Sequence, residues 1–251
     1  MMKKSLAIIA LISFCFGAQG QSMLDKLKNK KDSLAKKVNS VVTPTSPPAL
    51  TNEEVIKGLK EALSIGTNSS SSMASKLDGY YKNPRIFIPW PQEAAEMKTK
   101  LTSLGMQKKI AEFETSLNRA AEEAAKGAAT IFIDAITNMS VSDGFAILKG
   151  NDTAATHFLR ENTYSPLKIK FKPVVKDAIA KVKVTSYWNP LVTKYNKIPG
   201  VKKQNPDLEE YVTIKAINGL MLLISDEEAK IRKDPAARVT DLLRKVFGTK
   251  P

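Results

Sequence analysis

The stretch that decides the fold is residues 112–162, EFETSLNRAAEEAAKGAATIFIDAITNMSVSDGFAILKGNDTAATHFLREN. In its first half, apolar or small residues recur at steps of three and four, which is the period of an α-helix. They are Phe113, Leu117, Ala120, Ala124, Ala128, Ile131 and Ala135. Because most of them are alanines, a neighbouring helix can approach this face closely. We therefore predict one long amphipathic helix that ends near Met139.

Two shorter helices are predicted to follow the long one. Ser140 or Ser142 can cap the first of them, and Gly150 suits a left-handed stop at its end. Asp152 can cap the second, whose sequence is TAATHFLREN. Further along, Pro166 restarts a helix, and Pro173 is expected to kink or split it.

Capping patterns also indicate helices in the rest of the chain. Thr51 and Glu54 have the spacing of a capping box, and Asp207 can cap a long helix with a buried stripe. Ser225 and Glu228 show a second capping-box spacing, and Asp234-Pro235 is predicted to open the last helix. Between the helices, residues 79–91 read GYYKNPRIFIPWP, whose three prolines indicate an extended strap. The predicted fold is all-α, with one domain of about ten helices.

The chain begins like an exported protein. Residues 1–20, MMKKSLAIIALISFCFGAQG, combine two lysines, a short apolar run and small residues, which predicts a signal peptide cleaved between Gly20 and Gln21. Cys15 is the only cysteine, and Phe14 before it is too large for a lipidation motif, so we expect no lipoprotein. The predicted location is the periplasm or cell envelope. No later apolar run is long enough to span a bilayer, so the mature protein is expected to be soluble or peripheral.

Residues 21–50 differ in composition from the domain predicted over 51–251. They hold six lysines near a thin row of leucines, and the run Thr43-Pro-Thr-Ser-Pro-Pro48 marks a linker. One hypothesis is a basic amphipathic segment that lies on anionic lipid. The other, which we favour because the apolar face is thin, is a solvated spacer.

Lysines are concentrated in residues 168–203. The full chain has a formal net charge of +14, and this segment alone contributes ten lysines against one acid, Asp177. The candidate binding residues are Lys168, Lys170, Lys172, Lys176, Lys181, Lys183, Lys202 and Lys203. If they share a face, they would attract anionic lipid, lipopolysaccharide or an acidic protein. The alternative is a solvated basic face that aids solubility. We do not expect nucleic acid as a partner, because export argues against it and lysine without arginine reads bases poorly.

A second candidate site combines aromatic residues of the strap with polar residues of the long helix. Its predicted lining residues are Tyr80, Tyr81, Trp90, Asn118, Arg119 and Glu122. The aromatic side chains could instead seal the edge of the core, and the polar ones could form a network that ties helices together; we favour both of these interpretations.

No motif for catalysis, a metal or a cofactor is found in the sequence. His157 is the only histidine, so there is no histidine pair for zinc. If His157 is used in a helix-surface pair, no other histidine is left for a Ser-His-Asp triad. We predict that His157 pairs with Glu161, four residues later on the same helix. An enzyme would need carboxylates such as Glu122, Asp143 or Asp152 to converge in one cleft. We expect neither an enzyme nor a cofactor.

Several separated segments resemble the domain-of-unknown-function 4197 (DUF4197) family of exported bacterial proteins. They are SLNRAAEEAAKGA, MSVSDGFAILKGNDTAATHFLRENT and YVTIKAINGLMLLISDEEAKIRKDPAARVTDLLRKVFG. The similarity runs from about Leu50 to Gly248. It implies a helical exported domain without an established activity, so no functional residues are carried over.

Two hypotheses about function follow. The first is a non-enzymatic exported module that binds an acidic or amphiphilic partner through its lysine-rich segment. The alternative is a carrier of a small apolar ligand or lipid, with a cavity between helices behind Tyr80, Tyr81 and Trp90. The sequence does not predict an oligomeric state.

Overall fold

The computed structural model describes residues 49–248. These residues form nine α-helices and two short 3₁₀ helices, with no strand among them, so the predicted all-α class is confirmed. The helices are α1 Asn52–Ala74, α2 Ala95–Ser103, α3 Gln107–Ala125, α4 Ala128–Asn138, α5 Gly144–Leu148, α6 Ala154–Lys181, α7 Val184–Asn196, α8 Leu208–Lys233 and α9 Asp241–Gly248. The predicted signal peptide, Cys15 and the segment 21–42 lie outside the described residues.

Helix α8 occupies the centre of the domain and packs most extensively against α6 and α1. Its predicted stripe is buried, from Val212 through Ala216 to Leu220. The cap at its start is confirmed, because the Asp207 carboxylate accepts a hydrogen bond from the backbone N–H of Glu210 at 2.9 Å. The second predicted capping box is wrong, since Ser225 lies inside α8, which continues to Lys233.

The start of α1 matches the prediction in detail. The backbone N–H of Glu54 donates to the Thr51 hydroxyl at 3.2 Å, and the Glu54 carboxylate accepts from the backbone N–H of Thr51 at 3.1 Å. Val55, Leu59 and Leu63 then form the buried face. The helix continues through its serine run and ends at Ala74.

The predicted long helix is two helices, with a turn at Lys126-Gly127 between α3 and α4. Glycine is a weak helix former, and the turn changes which residues face the core. Phe132 and Ile136 are fully buried beyond it, whereas Ile131 and Ala135, the predicted core positions, are only partly buried. The prediction of one continuous helix was wrong because a single glycine does not reveal whether packing will bend the chain.

The caps predicted around α5 are also wrong. The Asp143 carboxylate, and not Ser140 or Ser142, accepts from the first turn of α5 at 2.9 Å. Gly150 does not have a positive φ, so it does not form the predicted left-handed stop. The residue that follows α5, Lys149, has right-handed helical backbone angles. Asp152 forms an ion pair with Lys233 and does not cap α6.

Helix α6 passes through Pro166 and Pro173 without a break, contrary to the prediction. Both prolines lie on the exposed side of the helix. The carbonyl groups that lose a helical donor therefore face solvent, where water can replace it. The opposite face, which includes Leu167 and Phe171, is buried against the core and holds the helix together.

The last helix also begins later than predicted. Asp234 caps the 3₁₀ helix Pro235–Ala237, and α9 begins only at Asp241.

Candidate functional site

Two side chains of α3 fasten the strap, residues 79–91, to the domain. One carboxylate oxygen of Glu122 accepts hydrogen bonds from the backbone N–H groups of Tyr80 and Tyr81, both at 3.1 Å. Asn118 bonds to both backbone groups of Ile88, accepting at 2.8 Å and donating at 2.9 Å. Polar backbone groups of a segment without regular structure are satisfied in this way by an adjacent helix.

Arg119 balances the charge of this network. Its guanidinium contacts Glu122 at 2.6 Å and Asp78 at 2.7 Å, and it lies over the Tyr81 ring at 5.3 Å from the centroid. Hydrogen bonds from Lys82 and then Arg119 lower the pKa of Asp78. Glu122 is only 4% exposed, and Arg119 places a counter-charge beside its carboxylate.

Two aromatic residues of the strap, Tyr80 and Trp90, belong to the core. Tyr80 is fully buried and donates its hydroxyl hydrogen to the carbonyl of Ala216 at 2.9 Å, and burial raises its pKa. Trp90 packs against Phe113 and Trp188, with ring centroids 5.1 and 5.3 Å away. The structure therefore brings together the six predicted pocket residues as an anchor for the strap. The side-chain polar groups of five of them are bonded to the protein itself, namely Tyr80, Trp90, Asn118, Arg119 and Glu122.

Half of the eight predicted binding lysines have acidic partners within the domain. Lys168 and Lys172 pair with Glu210, Lys170 pairs with Asp134, and Lys181 pairs with Glu123. The hydrogen bond from Lys168 lowers the pKa of Glu210, so that pair stays ionised at neutral pH. These four lysines contribute much less to the external field than their number indicates.

The other four predicted lysines keep their charge uncompensated. Lys176, Lys183, Lys202 and Lys203 are exposed, and none has an acidic partner within the described part of the chain. The same is true of their neighbours Lys194 and Lys197. The positive field of the lysine-rich segment therefore comes mainly from the unpaired lysines between Lys176 and Lys203.

Two further lysines, on α3, lie close to Lys194. Lys108 and Lys109 line a hollow of about 500 Å³ together with Lys194 of α7. We call it the lysine hollow; its remaining lining residues are Gly105, Met106 and Pro190. Sequence reasoning missed Lys108 and Lys109, because they lie about 85 residues before Lys194 and only the packing of α3 on α7 brings them together.

A groove of about 460 Å³ continues from the hollow along α3. We call it the α3–α7 groove; it is lined by Lys108, Ala111, Glu112, Thr115, Ser116, Arg119, Val182 and Tyr187. The Tyr187 ring is 42% exposed and forms part of the wall. Lys108 lines both cavities, so the groove and the lysine hollow are adjacent.

Three further features of the described residues concern the histidine, possible metal ligands and possible membrane-spanning helices. His157 pairs with Glu161 at 3.5 Å, as predicted. Within residues 49–248, no group of three or more histidine, cysteine or acidic side chains could hold a metal ion. No helix in the same range is long and apolar enough to cross a membrane.

The described residues form a single all-helical domain, with three lysines around one hollow on its surface. The family model "Protein of unknown function (DUF4197)" matches residues 49–248, and the chain belongs to this family. Comparisons with curated proteins and with solved structures found no match.

Proposed function

We propose that this chain is an exported, non-enzymatic module that binds an acidic or amphiphilic partner at the cell envelope. The observation that carries the proposal is the set of exposed lysines without acidic partners in the described residues, namely Lys176, Lys183, Lys194, Lys197, Lys202 and Lys203. They follow one another over 28 residues and are supplemented by Lys108 and Lys109 across the lysine hollow.

Lysine is suited to this role because its ammonium group is a mobile point charge on a long stem. Such groups attract phosphate-rich surfaces without fixing a particular geometry, and each contributes about 1 kcal/mol near an anionic membrane. The attraction is screened within about 8 Å at physiological salt, so the binding should depend strongly on ionic strength. Export, predicted from residues 1–20, supports a lipid or envelope component as the partner.

The alternative function, a carrier with a cavity behind the strap, receives less support from the geometry. Tyr80 and Trp90 are packed in the core, and Glu122 and Asn118 bond to the backbone of the strap. A ligand could enter there only if the strap detached from α3.

Vesicle binding tests the proposed function. We expect the mature protein to sediment with phosphatidylglycerol vesicles at low salt and to dissociate as salt rises. Replacing Lys176, Lys197, Lys202 and Lys203 with glutamate should weaken this binding at least about tenfold, since several attractive charges become repulsive. The measurement is co-sedimentation at a series of salt concentrations.

The matched control reverses four other exposed lysines that have no acidic partner in the described chain, Lys57, Lys76, Lys149 and Lys230. It makes the same change in net charge, so a general charge effect would weaken both variants equally. Equal weakening, or binding that does not respond to salt, would contradict the proposal. Thermal unfolding followed by circular dichroism verifies that both variants are folded.

A further inference from the structure

The lysine hollow and the α3–α7 groove form one elongated depression along α3. The groove residues on this helix, Lys108, Ala111, Thr115 and Arg119, recur at steps of three and four and so share one face. From Lys108 to Arg119 the helix axis advances about 16 Å. The opposite wall comes from Val182 and Tyr187, and at the hollow from Pro190 and Lys194.

Uncompensated positive charge is found at only one end of this depression. Lys108, Lys109 and Lys194 surround the hollow, and all three are exposed without an acidic partner in the described residues. The first turn of α3 contains no acidic residue, and no side chain caps it, so the positive end of the helix dipole adds to the same field. At the far end, Asp78 and Glu122 already neutralise Arg119.

The middle of the groove offers few free polar groups. The Thr115 hydroxyl donates to the carbonyl of Ala111 at 2.8 Å, and the Ser116 hydroxyl donates to the carbonyl of Phe113 at 2.7 Å. What remains for a ligand is the methyl group of Ala111, the Val182 side chain and the Tyr187 ring.

Glu112 is the one acidic side chain in the groove. It lies one helical turn beyond Lys108, so it repels an anionic group from the middle of the groove and favours its placement in the lysine hollow.

We propose that this depression binds a single-chain anionic amphiphile. Its phosphate-type head contacts Lys108, Lys109 and Lys194, and its hydrocarbon chain lies on Ala111, Val182 and Tyr187. Three ammonium groups complement the charge of the head, and the adjacent apolar wall complements the hydrocarbon chain. This inference rests on the proposed function and specifies its ligand.

Isothermal titration calorimetry on the mature protein tests the inference with three probes. They are dodecyl phosphate below its micelle concentration, inorganic phosphate, and dodecyl maltoside as the neutral amphiphile. We expect dodecyl phosphate to bind at least about tenfold more tightly than either of the others, because only it engages both parts of the depression. Equal affinity for inorganic phosphate would overturn the role of the groove, and equal affinity for dodecyl maltoside would overturn the role of the lysines.

Two variants with matched controls locate the binding. Lys108→Glu with Lys109→Glu should weaken dodecyl phosphate binding about tenfold or more, whereas Lys57→Glu with Lys76→Glu should not. Ala111→Trp should fill the groove and lower the affinity, whereas Val239→Trp, also at an exposed position, should leave it unchanged. If each control weakens binding as much as its partner, the depression is not the site.

The two proposals fail separately in these experiments. If the protein binds anionic vesicles through Lys176, Lys197, Lys202 and Lys203 but shows no preference for dodecyl phosphate, the groove is overturned and the proposed function stands. If neither vesicles nor dodecyl phosphate bind, both are overturned.

Discussion

Replacing Glu228 with alanine is expected to lower the free energy of unfolding by about 3–5 kcal/mol, the usual cost of breaking a buried ion pair. Glu228 is 1% exposed and lies near the C-terminal end of α8. Its carboxylate accepts the backbone N–H groups of Ala155 and Thr156 at 3.0 and 2.7 Å, and the Thr156 hydroxyl at 2.7 Å. It is thus the cap of α6, supplied by another helix.

The loss extends beyond the cap because Arg232 depends on the same carboxylate. Its guanidinium contacts Glu228 at 2.8 Å, donates to the carbonyls of Leu148 and Ile147 at 2.8 and 3.2 Å, and lies over the Phe247 ring. Without Glu228, a largely buried cation would lack its counter-charge, and the first turn of α6 would lose its acceptor. The pair connects the end of α5, the start of α6, and helices α8 and α9.

Urea unfolding followed by circular dichroism measures the effect. Asp226→Ala is the matched control, because Asp226 also lies on α8 and pairs with Arg85 at 2.8 Å, but both side chains are about half exposed. A surface pair of this kind contributes about 0–1 kcal/mol. Similar losses for the two variants would show that the Glu228 carboxylate does not organise the helix junction.

The comparison of caps shows which local features can be read from the sequence. The caps by Thr51 and Asp207 were predicted correctly because the acceptor lies within three residues of its donor. The cap of α6 comes from Glu228, 73 residues from Ala155. Its spacing from Ser225 imitates a capping box, and only the tertiary structure shows that α8 continues through both residues.

The sequence predicted which lysines are concentrated at the candidate site, but not which of them are neutralised by acidic partners. The excess of lysine between residues 168 and 203 is visible in the sequence, but pairing depends on contacts such as Lys170 with Asp134 and Lys181 with Glu123. These contacts arise from the packing of α6 on α3 and α4. Periodicity and composition carry no information about such partners, and for the same reason Lys108 was not assigned to the site.

Gly79→Ala is expected to destabilise the protein by about 2–3 kcal/mol, the upper part of the usual range for overpacking. A Cβ atom at Gly79 would lie 2.5 Å from the carbonyl oxygens of both Met73 and Ala74. These are backbone atoms at the end of α1, so no side-chain rotation can relieve the contact. Asp78 before it has φ of 69°, which turns the chain back beneath the end of α1.

The effect of Gly79→Ala should be concentrated at the strap, because Tyr80 follows directly and its N–H donates to Glu122. The chain has two tryptophans, Trp90 in the strap itself and Trp188, whose ring packs against it. Their fluorescence should therefore change along with the urea midpoint.

Gly127→Ala is the control, since its nearest atom outside its own turn, a Val174 methyl, would be 3.6 Å from the new Cβ. That contact is ordinary, so this variant should keep the wild-type midpoint or raise it, as expected where alanine replaces glycine without strain. If Gly79→Ala behaves like Gly127→Ala, the strap has room to move away from α1, and its attachment through Glu122 and Asn118 is weaker than their hydrogen bonds indicate.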